Sequence, residues 1–273
     1  MTGLTDLDDA LGQVLGEAFE LPAVEQVPLL ESLGRVLARD VSSSVAVPFD
    51  DNSAMDGYAL RAQDSELELK VTQRIPAGCC GEPVEAGTAA RIFTGAPIPA
   101  GADAVVMQEN TEVDGDLLRL TKPVNTGQNV RPRGQDICEG DVVFNAGRRL
   151  RGEDLGVLAS VGCAEVPVYR RLVVAILSTG DELVDPASGA SLLPGQIFNS
   201  NRYTLQGLLA GLDVEVKDYG VIPDTPEATA QVLREAAASA DCVVSSGGVS
   251  VGEEDHVKNQ VERLGELKLW KLR

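Results

Sequence analysis

The chain has 273 residues, of which 44% are hydrophobic and 24% are charged, and its formal net charge is −19. At about 100–200 residues per domain, this length predicts two or more domains, and the composition excludes a disordered or low-complexity chain. A chain this acidic is not expected to bind nucleic acid or an anionic membrane through general electrostatics. The sequence has no run of 18 apolar residues and its N-terminus is acidic, so we expect a cytoplasmic protein without a signal peptide.

The five cysteines and the single histidine, His256, offer few ligands for a soft metal. Cys79 and Cys80 are adjacent, and no pair has the C-x-x-C spacing of a zinc site. We therefore expect neither a zinc site nor a disulfide framework, and predict reduced thiols that are mostly buried.

The first half of the chain changes character near residue 46. Apolar residues at helical spacing predict a helix over 5–19, capped by Thr5, and a second helical segment over 27–37. From about 46 to 140, short apolar runs alternate with glycine and proline, which indicates a β-rich module. Within it, residues 104–107 form a predicted strand. Asp114-Gly115 lies between this strand and residues 117–120, which indicates a hairpin formed by these two segments.

The second half alternates strands with helices, which predicts a parallel sheet covered by helices. The predicted order is helix 153–161, strand 166–169, strand 172–177, helix 203–212, strand 214–221, helix 226–240, strand 241–245, helix 256–264 and strand 267–270. Thr225 and Pro226 are placed to begin the helix over 226–240. A sheet of this kind normally continues beyond such a last strand, so we expect a fragment or a truncated form.

Two polar segments follow buried strands of this predicted sheet, at the edge where ligands bind. The candidate binding residues are Ser178, Thr179, Gly180 and Asp181 in the first segment, and Ser245, Ser246, Gly247, Gly248, Ser250 and Gly252 in the second. Glycines in the second segment would let backbone N–H groups approach a phosphate at the N-terminus of the next helix. The same glycines also suit an ordinary tight turn, and the two interpretations are equally supported.

Residues 131–171 contain seven arginines, a local excess of positive charge in an acidic chain. A solvated basic face, a subunit contact and attraction of an anionic substrate are all compatible with it. For Arg131 and Arg133 we favour anion binding. Carboxylates near a phosphate loop would repel the phosphate, and Mg²⁺ is the usual mediator between them.

Five strings together resemble one family: DNSAMDGYA (51–59), RIFTGAPIP (91–99), RPRGQDI (131–137), STGDEL (178–183) and SSGGVSVGEED (245–255). They are similar to the molybdopterin molybdenumtransferases, the bacterial MoeA type related to the E domain of gephyrin. The resemblance implies Mg²⁺-dependent insertion of molybdate into adenylylated molybdopterin with release of AMP. It implies catalytic roles for Asp56, Thr94, Asp136, Glu182, Asp224 and Asp255, of which Glu182, Asp224 and Asp255 would hold the metal.

The resemblance also implies a multi-domain fold of the α/β plus β-rich class. An α/β domain of molybdopterin-binding type, incomplete at its C-terminus, would take 1–20 plus 170–273. A central linking domain would take 21–45 plus 141–169, and an inserted β-rich domain would take 46–140. The implied partners are a second copy of the chain, a molybdopterin adenylyltransferase and molybdoenzyme apoproteins.

One part of the family pattern is missing from the sequence. In the family, the last strand leads into a Lys-Pro-Gly-Lys-Pro-type loop and a further β domain, and neither is present here. A non-catalytic substrate-binding fragment or a scaffold module of the same family is therefore an alternative. A general nucleotide-binding α/β protein without pterin specificity is a third interpretation.

Overall fold

The computed structural model describes residues 5–17, 21–248 and 256–268, and it divides into two compact units. The first unit takes its residues from Met1–Val27, Ser32–Ala38 and Pro167–Arg273, and the second from Pro28–Glu31 and Arg39–Val166. The three-domain division expected from the resemblance stays a prediction. In the part of the chain that the structure describes, no helix is long and apolar enough to cross a membrane.

The elements run in the following order. The strands are β1 (Val24–Pro28), β2 (Val41–Ser42), β3 (Asn52–Ser53), β4 (Gly57–Leu60), β5 (Leu69–Ile75), β6 (Thr88–Ile92), β7 (Ala104–Met107), β8 (Thr111–Asp114), β9 (Leu117–Leu120), β10 (Val130–Arg131), β11 (Val142–Phe144), β12 (Glu165–Tyr169), β13 (Leu172–Thr179), β14 (Leu183–Val184), β15 (Ile197–Phe198), β16 (Val214–Ile222) and β17 (Cys242–Ser246). The helices are α1 (Leu7–Glu17), α2 (Gly152–Ser160), α3 (Ser200–Ala210), α4 (Pro226–Ser239) and α5 (His256–Leu264).

The first unit is built on a three-stranded parallel sheet in the order β16-β13-β17. The central strand β13 begins with an apolar run over 172–177 and is buried over its last six residues, as expected for a parallel strand that is covered on both faces. Leu177, Ile222 and Leu233 form the core between this sheet and α4. At the start of α4, Thr225 accepts a hydrogen bond from the backbone N–H of Ala228. The predicted parallel sheet and the predicted cap are confirmed.

The second unit is built on a six-stranded sheet in the order β7-β4-β6-β5-β9-β8. Only the β5–β6 pair is parallel, and the other neighbouring pairs are antiparallel. Alternate residues point to two separate apolar clusters, one containing Ala59 and Ile92 and the other containing Leu60 and Ala89. The predicted strand over 104–107 is confirmed as β7, and the predicted turn at Asp114-Gly115 is confirmed, but the predicted pairing of 104–107 with 117–120 is wrong. The turn joins β8 to β9, and β7 pairs with β4, because a further strand, β8, lies between β7 and the turn.

The helical segment expected over 27–37 is wrong. Strand β1 ends at Pro28 and is paired with β12, a short 3-10 turn covers Leu29–Ser32, and Leu37 bridges to Val168. Pairing with a strand more than 100 residues away therefore overrides a weak local helical pattern. The predicted cap of the first helix is also wrong, because Asp6 rather than Thr5 accepts a hydrogen bond from the Asp8 N–H, at 3.0 Å.

The expected burial of the cysteines is wrong as well, although all five are free thiols. Cys79, Cys80, Cys138 and Cys242 are exposed, and Cys163 is half-buried. These residues stand in turns and at a strand start rather than in the apolar clusters, so composition alone could not place them. Burial raises the pKa of the Cys163 thiol.

Candidate functional site

The carboxyl ends of the parallel strands bring two of the predicted segments together in the first unit. Ser178 on β13 is the register partner of Ser246 on β17, and Thr179 is the partner of Ile222 on β16. The residues that follow these strands include Gly180 to Glu182, Gly247, Gly248 and Asp224. Because parallel strands end at one edge of a sheet, these residues lie at the place where α/β proteins bind ligands.

The loop after β17 presses its backbone against the end of β13. Gly247 has φ +96°, and a Cβ at this position would lie 2.7 Å from the carbonyl oxygen of Thr179. Gly248 has φ +66°, and its Cβ would lie 2.5 Å from Cγ2 of Val257. Glycine is therefore required at both positions, for backbone conformation and for space. Ser245 fixes the loop by donating a hydrogen bond from its hydroxyl to the Gly247 carbonyl, at 3.2 Å.

The hydroxyl of Thr179 is the most informative polar group in this loop region. Thr179 is only 5% exposed, and its Oγ1 has no hydrogen-bond partner among the described residues. A Cβ on Gly248 would lie 2.8 Å from this Oγ1, so the hydroxyl faces the glycine loop. A buried hydroxyl without a partner costs free energy, and such a group in a native protein calls for an explanation. We call the segment formed by Thr179, Gly247 and Gly248 the glycine cradle.

The acidic residues after β13 and β16 lie beside the same edge. A Cβ on Gly180 would lie 2.6 Å from Oε2 of Glu182, so this carboxylate lies close over the backbone. Asp181 accepts a hydrogen bond from the backbone N–H of Asp224, at 3.2 Å, which joins the two acidic segments. Within the described ranges, no group of three or more His, Cys, Asp or Glu side chains is arranged to hold a metal. Ser250, Gly252 and Asp255 lie outside the described residues.

The second unit contains the predicted pair Asp56 and Thr94. Oδ1 of Asp56 accepts hydrogen bonds from both the backbone N–H and the hydroxyl of Thr94, each at 2.8 Å. These two bonds lower the pKa of the Asp56 carboxyl, and the bond from the Thr94 backbone has the larger effect. Desolvation opposes this change, and the Arg91 charge lowers the pKa further. The carboxylate is therefore ionised at neutral pH, and its Oδ2 accepts no hydrogen bond from any residue that the structure describes.

The predicted Arg131 and Arg133 are bonded to neighbouring acidic residues. Arg131 pairs with Asp136 at 2.6 Å, and both side chains are about half exposed, so the pair contributes little stability. Arg133 donates from its backbone N–H to Asp51 at 2.7 Å and from its guanidinium to Glu139 at 3.2 Å. Anion-binding roles for these arginines stay predictions.

Most of the seven arginines of the basic stretch have a carboxylate partner within 4.0 Å. The pairs are Arg131–Asp136, Arg133–Glu139, Arg148–Asp154, Arg151–Glu153, Arg170–Asp241 and Arg171–Asp213. The positive charge is therefore largely offset locally, which weakens the case for a long-range anion attractor.

The sequence did not single out a network that holds the segment after Glu182. Asp185 accepts hydrogen bonds from the Tyr203 hydroxyl at 2.7 Å and the Ala187 N–H at 2.9 Å, and it also pairs with Arg202. These bonds lower the pKa of the Asp185 carboxyl, and the bond from Tyr203 has the largest effect. Arg202 extends the network to Asp218 on β16, at 2.6 Å. Two sequence signals could have indicated this network: Asp185 shortly after STGDEL, and the adjacent Arg202 and Tyr203 near the start of a helix.

Comparisons with known proteins identify the family. A family model described as the MoeA N-terminal region (domain I and II) matches residues 5–162, more than half of the chain, and one described as a probable molybdopterin binding domain matches 175–272. The chain belongs to the MoeA family. The resemblance carried by the five strings is thereby confirmed, and so is the expected fold class of α/β plus β-rich modules.

Relatives of this MoeA-family chain come from bacteria and archaea. It is 42% identical to a molybdopterin molybdenumtransferase of Haemophilus influenzae, over 97% of this chain and 66% of the relative. It is 41% identical to one of Nostoc sp., over 88% of this chain and 57% of the relative. A solved structure of a molybdopterin biosynthesis MoeA protein from Pyrococcus horikoshii aligns with TM-score 0.84 and 35% identity, covering 98% of this chain and 68% of that one. The chain thus spans less than two thirds of the length of these curated relatives.

Proposed function

We propose that this chain acts in molybdenum cofactor biosynthesis, in the Mg²⁺-dependent insertion of molybdate into adenylylated molybdopterin with release of AMP. The glycine cradle is the observation that carries the proposal. It lies within residues 175–272, the segment similar to a probable molybdopterin binding domain. It combines two obligatory glycines with a buried hydroxyl that has no partner in the described part of the protein. A hydroxyl donor and backbone N–H groups that a ligand can approach closely, as glycines allow, suit a phosphate-bearing ligand.

The proposed roles of the acidic residues differ according to where each residue lies. Glu182 and Asp224 offer carboxylate oxygens at the edge where the cradle lies, and these hard ligands fit Mg²⁺; Asp255 would complete the set. A bound Mg²⁺ would neutralise phosphate charge and polarise the phosphoanhydride. Asp56, fixed by Thr94 and ionised, would accept a hydrogen bond from the substrate through its open Oδ2. Asp136 would act beside Arg131.

The Asp56→Ala variant tests the assignment of this carboxylate. Release of AMP from adenylylated molybdopterin should be abolished while the far-UV circular dichroism and the melting temperature stay close to wild type. Asp114→Ala is the matched control, because Asp114 is an exposed carboxylate at a hairpin end in the same unit. Wild-type AMP release by Asp56→Ala would refute the role.

The two other interpretations give different binding results. Tight calorimetric binding of adenylylated molybdopterin without AMP release, in the folded wild-type chain, would support a non-catalytic substrate-binding or scaffold module. Equal affinity for AMP and for the adenylylated pterin would support a general nucleotide-binding protein. Our proposal predicts a clear preference for the adenylylated pterin together with turnover.

We further propose that the chain forms a homodimer, and α1 supports this. Leu7, Leu11, Val14 and Leu15 recur at helical spacing, and each is more than half exposed. An apolar stripe of this kind is typical of a helix that packs against another surface. Sedimentation equilibrium should give twice the chain mass of 28.7 kDa, and the double variant Leu11→Glu, Leu15→Glu should sediment as a monomer.

A further inference from the structure

Arg91 lies at the centre of a row of side chains on one face of the six-stranded sheet. In β6 it is the register partner of Tyr58 on β4 and of Arg74 on β5. Its guanidinium stands over the Tyr58 ring at 5.1 Å and over the Phe93 ring at 4.6 Å, and Arg74 stands over the same Phe93 ring at 4.4 Å. Cation–π contacts of this length are attractive but do not explain why an arginine is needed here.

The hydrogen bonds of Arg91 lead to both sides of Asp56. Nη1 donates to the carbonyl oxygen of Gly57 at 2.8 Å, and Nη2 donates to the side-chain oxygen of Gln108. The backbone N–H of Gln108 in turn donates to the carbonyl oxygen of Asp56, at 3.1 Å. The Arg91 guanidinium thus connects Gly57, which follows Asp56, to Gln108, whose backbone N–H binds the Asp56 carbonyl oxygen.

Arg91 also contacts the segment that carries Thr94. Phe93, whose ring packs on the Arg91 guanidinium, directly precedes Thr94. Thr94 supplies both hydrogen bonds to Oδ1 of Asp56. The charge of Arg91 also lowers the pKa of the Asp56 carboxyl, as one of several causes after the two Thr94 hydrogen bonds.

Close packing at Gly57 restricts the backbone segment to which Arg91 is hydrogen-bonded. A Cβ on Gly57 would lie only 1.9 Å from the carbonyl oxygen of Val106, so β4 and β7 approach each other closely at this residue. The Gly57 carbonyl that Arg91 holds therefore belongs to a backbone segment with little freedom to move. A fixed segment that directly follows Asp56 is a suitable anchor for a carboxylate that has to bind the substrate in one geometry.

We infer that Arg91 is a positioning residue that holds the Asp56–Thr94 pair in its bonded geometry by linking Gly57, Gln108 and Phe93. This inference rests on the proposed function only for its catalytic consequence, because the geometry is a property of the free protein. Lysine could not replace the arginine, since an ammonium lacks the planar fork that reaches two acceptors and stacks on a ring. Arg91 need not touch the substrate.

Three substitutions separate this role from charge and from stacking. Arg91→Gln removes the link, and Arg91→Lys keeps the charge without the fork. Arg74→Gln is the matched control, because Arg74 stacks on the same Phe93 ring but makes no bond to Gly57 or Gln108. The first readout is amide hydrogen exchange at Thr94, whose N–H is bonded to Asp56.

We expect Thr94 exchange to accelerate about tenfold or more in both Arg91 variants and to stay within about twofold of wild type in Arg74→Gln, with each melting temperature measured alongside. The kcat for AMP release should fall by about 10- to 100-fold in both Arg91 variants with little change in KM. Wild-type exchange in Arg91→Gln, full rescue by lysine, or equal loss in Arg74→Gln would overturn the inference. If wild type released no AMP, the proposed function would fail, and the exchange data would still decide the positioning role.

Discussion

Replacing Thr179 with valine should change stability and ligand binding in opposite directions. Valine is close to threonine in shape and removes a hydroxyl that is buried and without a partner among the described residues. Leaving such a group unsatisfied costs about 1–3 kcal/mol, so the free protein should gain on the order of 1 kcal/mol of unfolding free energy. If the hydroxyl binds a phosphate-bearing ligand, its loss should cost about 1.5–3 kcal/mol of binding, or roughly 10- to 150-fold in Kd.

Thr229→Val is a close control for the stability part. Thr229 is 1% exposed in α4, and its Oγ1 also lacks a partner among the residues described. It lies in the body of a helix that begins at Pro226, rather than at the carboxyl ends of the strands. We expect a similar gain in stability and no change in ligand affinity.

Urea denaturation at pH 7 and calorimetric titration with adenylylated molybdopterin measure the two effects. The reasoning predicts a gain in unfolding free energy for both variants and a loss of affinity for Thr179→Val alone. A destabilised Thr179→Val protein with wild-type affinity would refute it, because the hydroxyl would then serve the fold and not a ligand.

The remaining predictions concern the second unit. The bonds from Arg148 lower the pKa of the Asp154 carboxyl from 3.8 to about 2, and the side chain is 3% exposed. This shift contributes about 2 kcal/mol of stability, which is present above about pH 4 and is lost as the pH falls towards 2. Asp154→Asn should therefore lower the free energy of unfolding by about 2 kcal/mol in urea denaturation at pH 7. Glu153→Gln, at an exposed neighbouring carboxylate, should lower it by less than about 0.5 kcal/mol. Equal losses in the two variants would contradict the account. Gly57→Ala should lose on the order of 3 kcal/mol or more, since its Cβ would meet the Val106 carbonyl oxygen at 1.9 Å, and a near-wild-type melting temperature would count against that contact.

Local sequence signals predicted those elements whose partners are near in the chain. Three correct predictions each depend on a few consecutive residues: the cap at Thr225, the turn at Asp114-Gly115 and the buried run of β13. The first strand of the hairpin was predicted wrongly as 104–107, because that strand pairs with β4. The segment over 27–37 was predicted wrongly because β1 is paired with β12, and nothing near Pro28 reports on that distant strand. Element type was thus predictable where local chemistry decides it, and not where a distant pairing does.

The candidate site shows the same division. The segments after β13 and β17 were predictable, because parallel strands end at one edge of a sheet. The bonds between Asp56 and Thr94 span 38 residues, and the link from Arg91 to Gly57 spans 34. Those contacts follow from the register of β4 and β6, which the sequence pattern alone does not specify.

The most direct test of the proposed function is AMP release from adenylylated molybdopterin by this purified chain, with Mg²⁺, in the presence and absence of molybdate. We predict release that depends on molybdate and is lost in Asp56→Ala. A folded chain that binds the adenylylated pterin but releases no AMP under either condition would show that molybdate insertion is not an activity of this polypeptide.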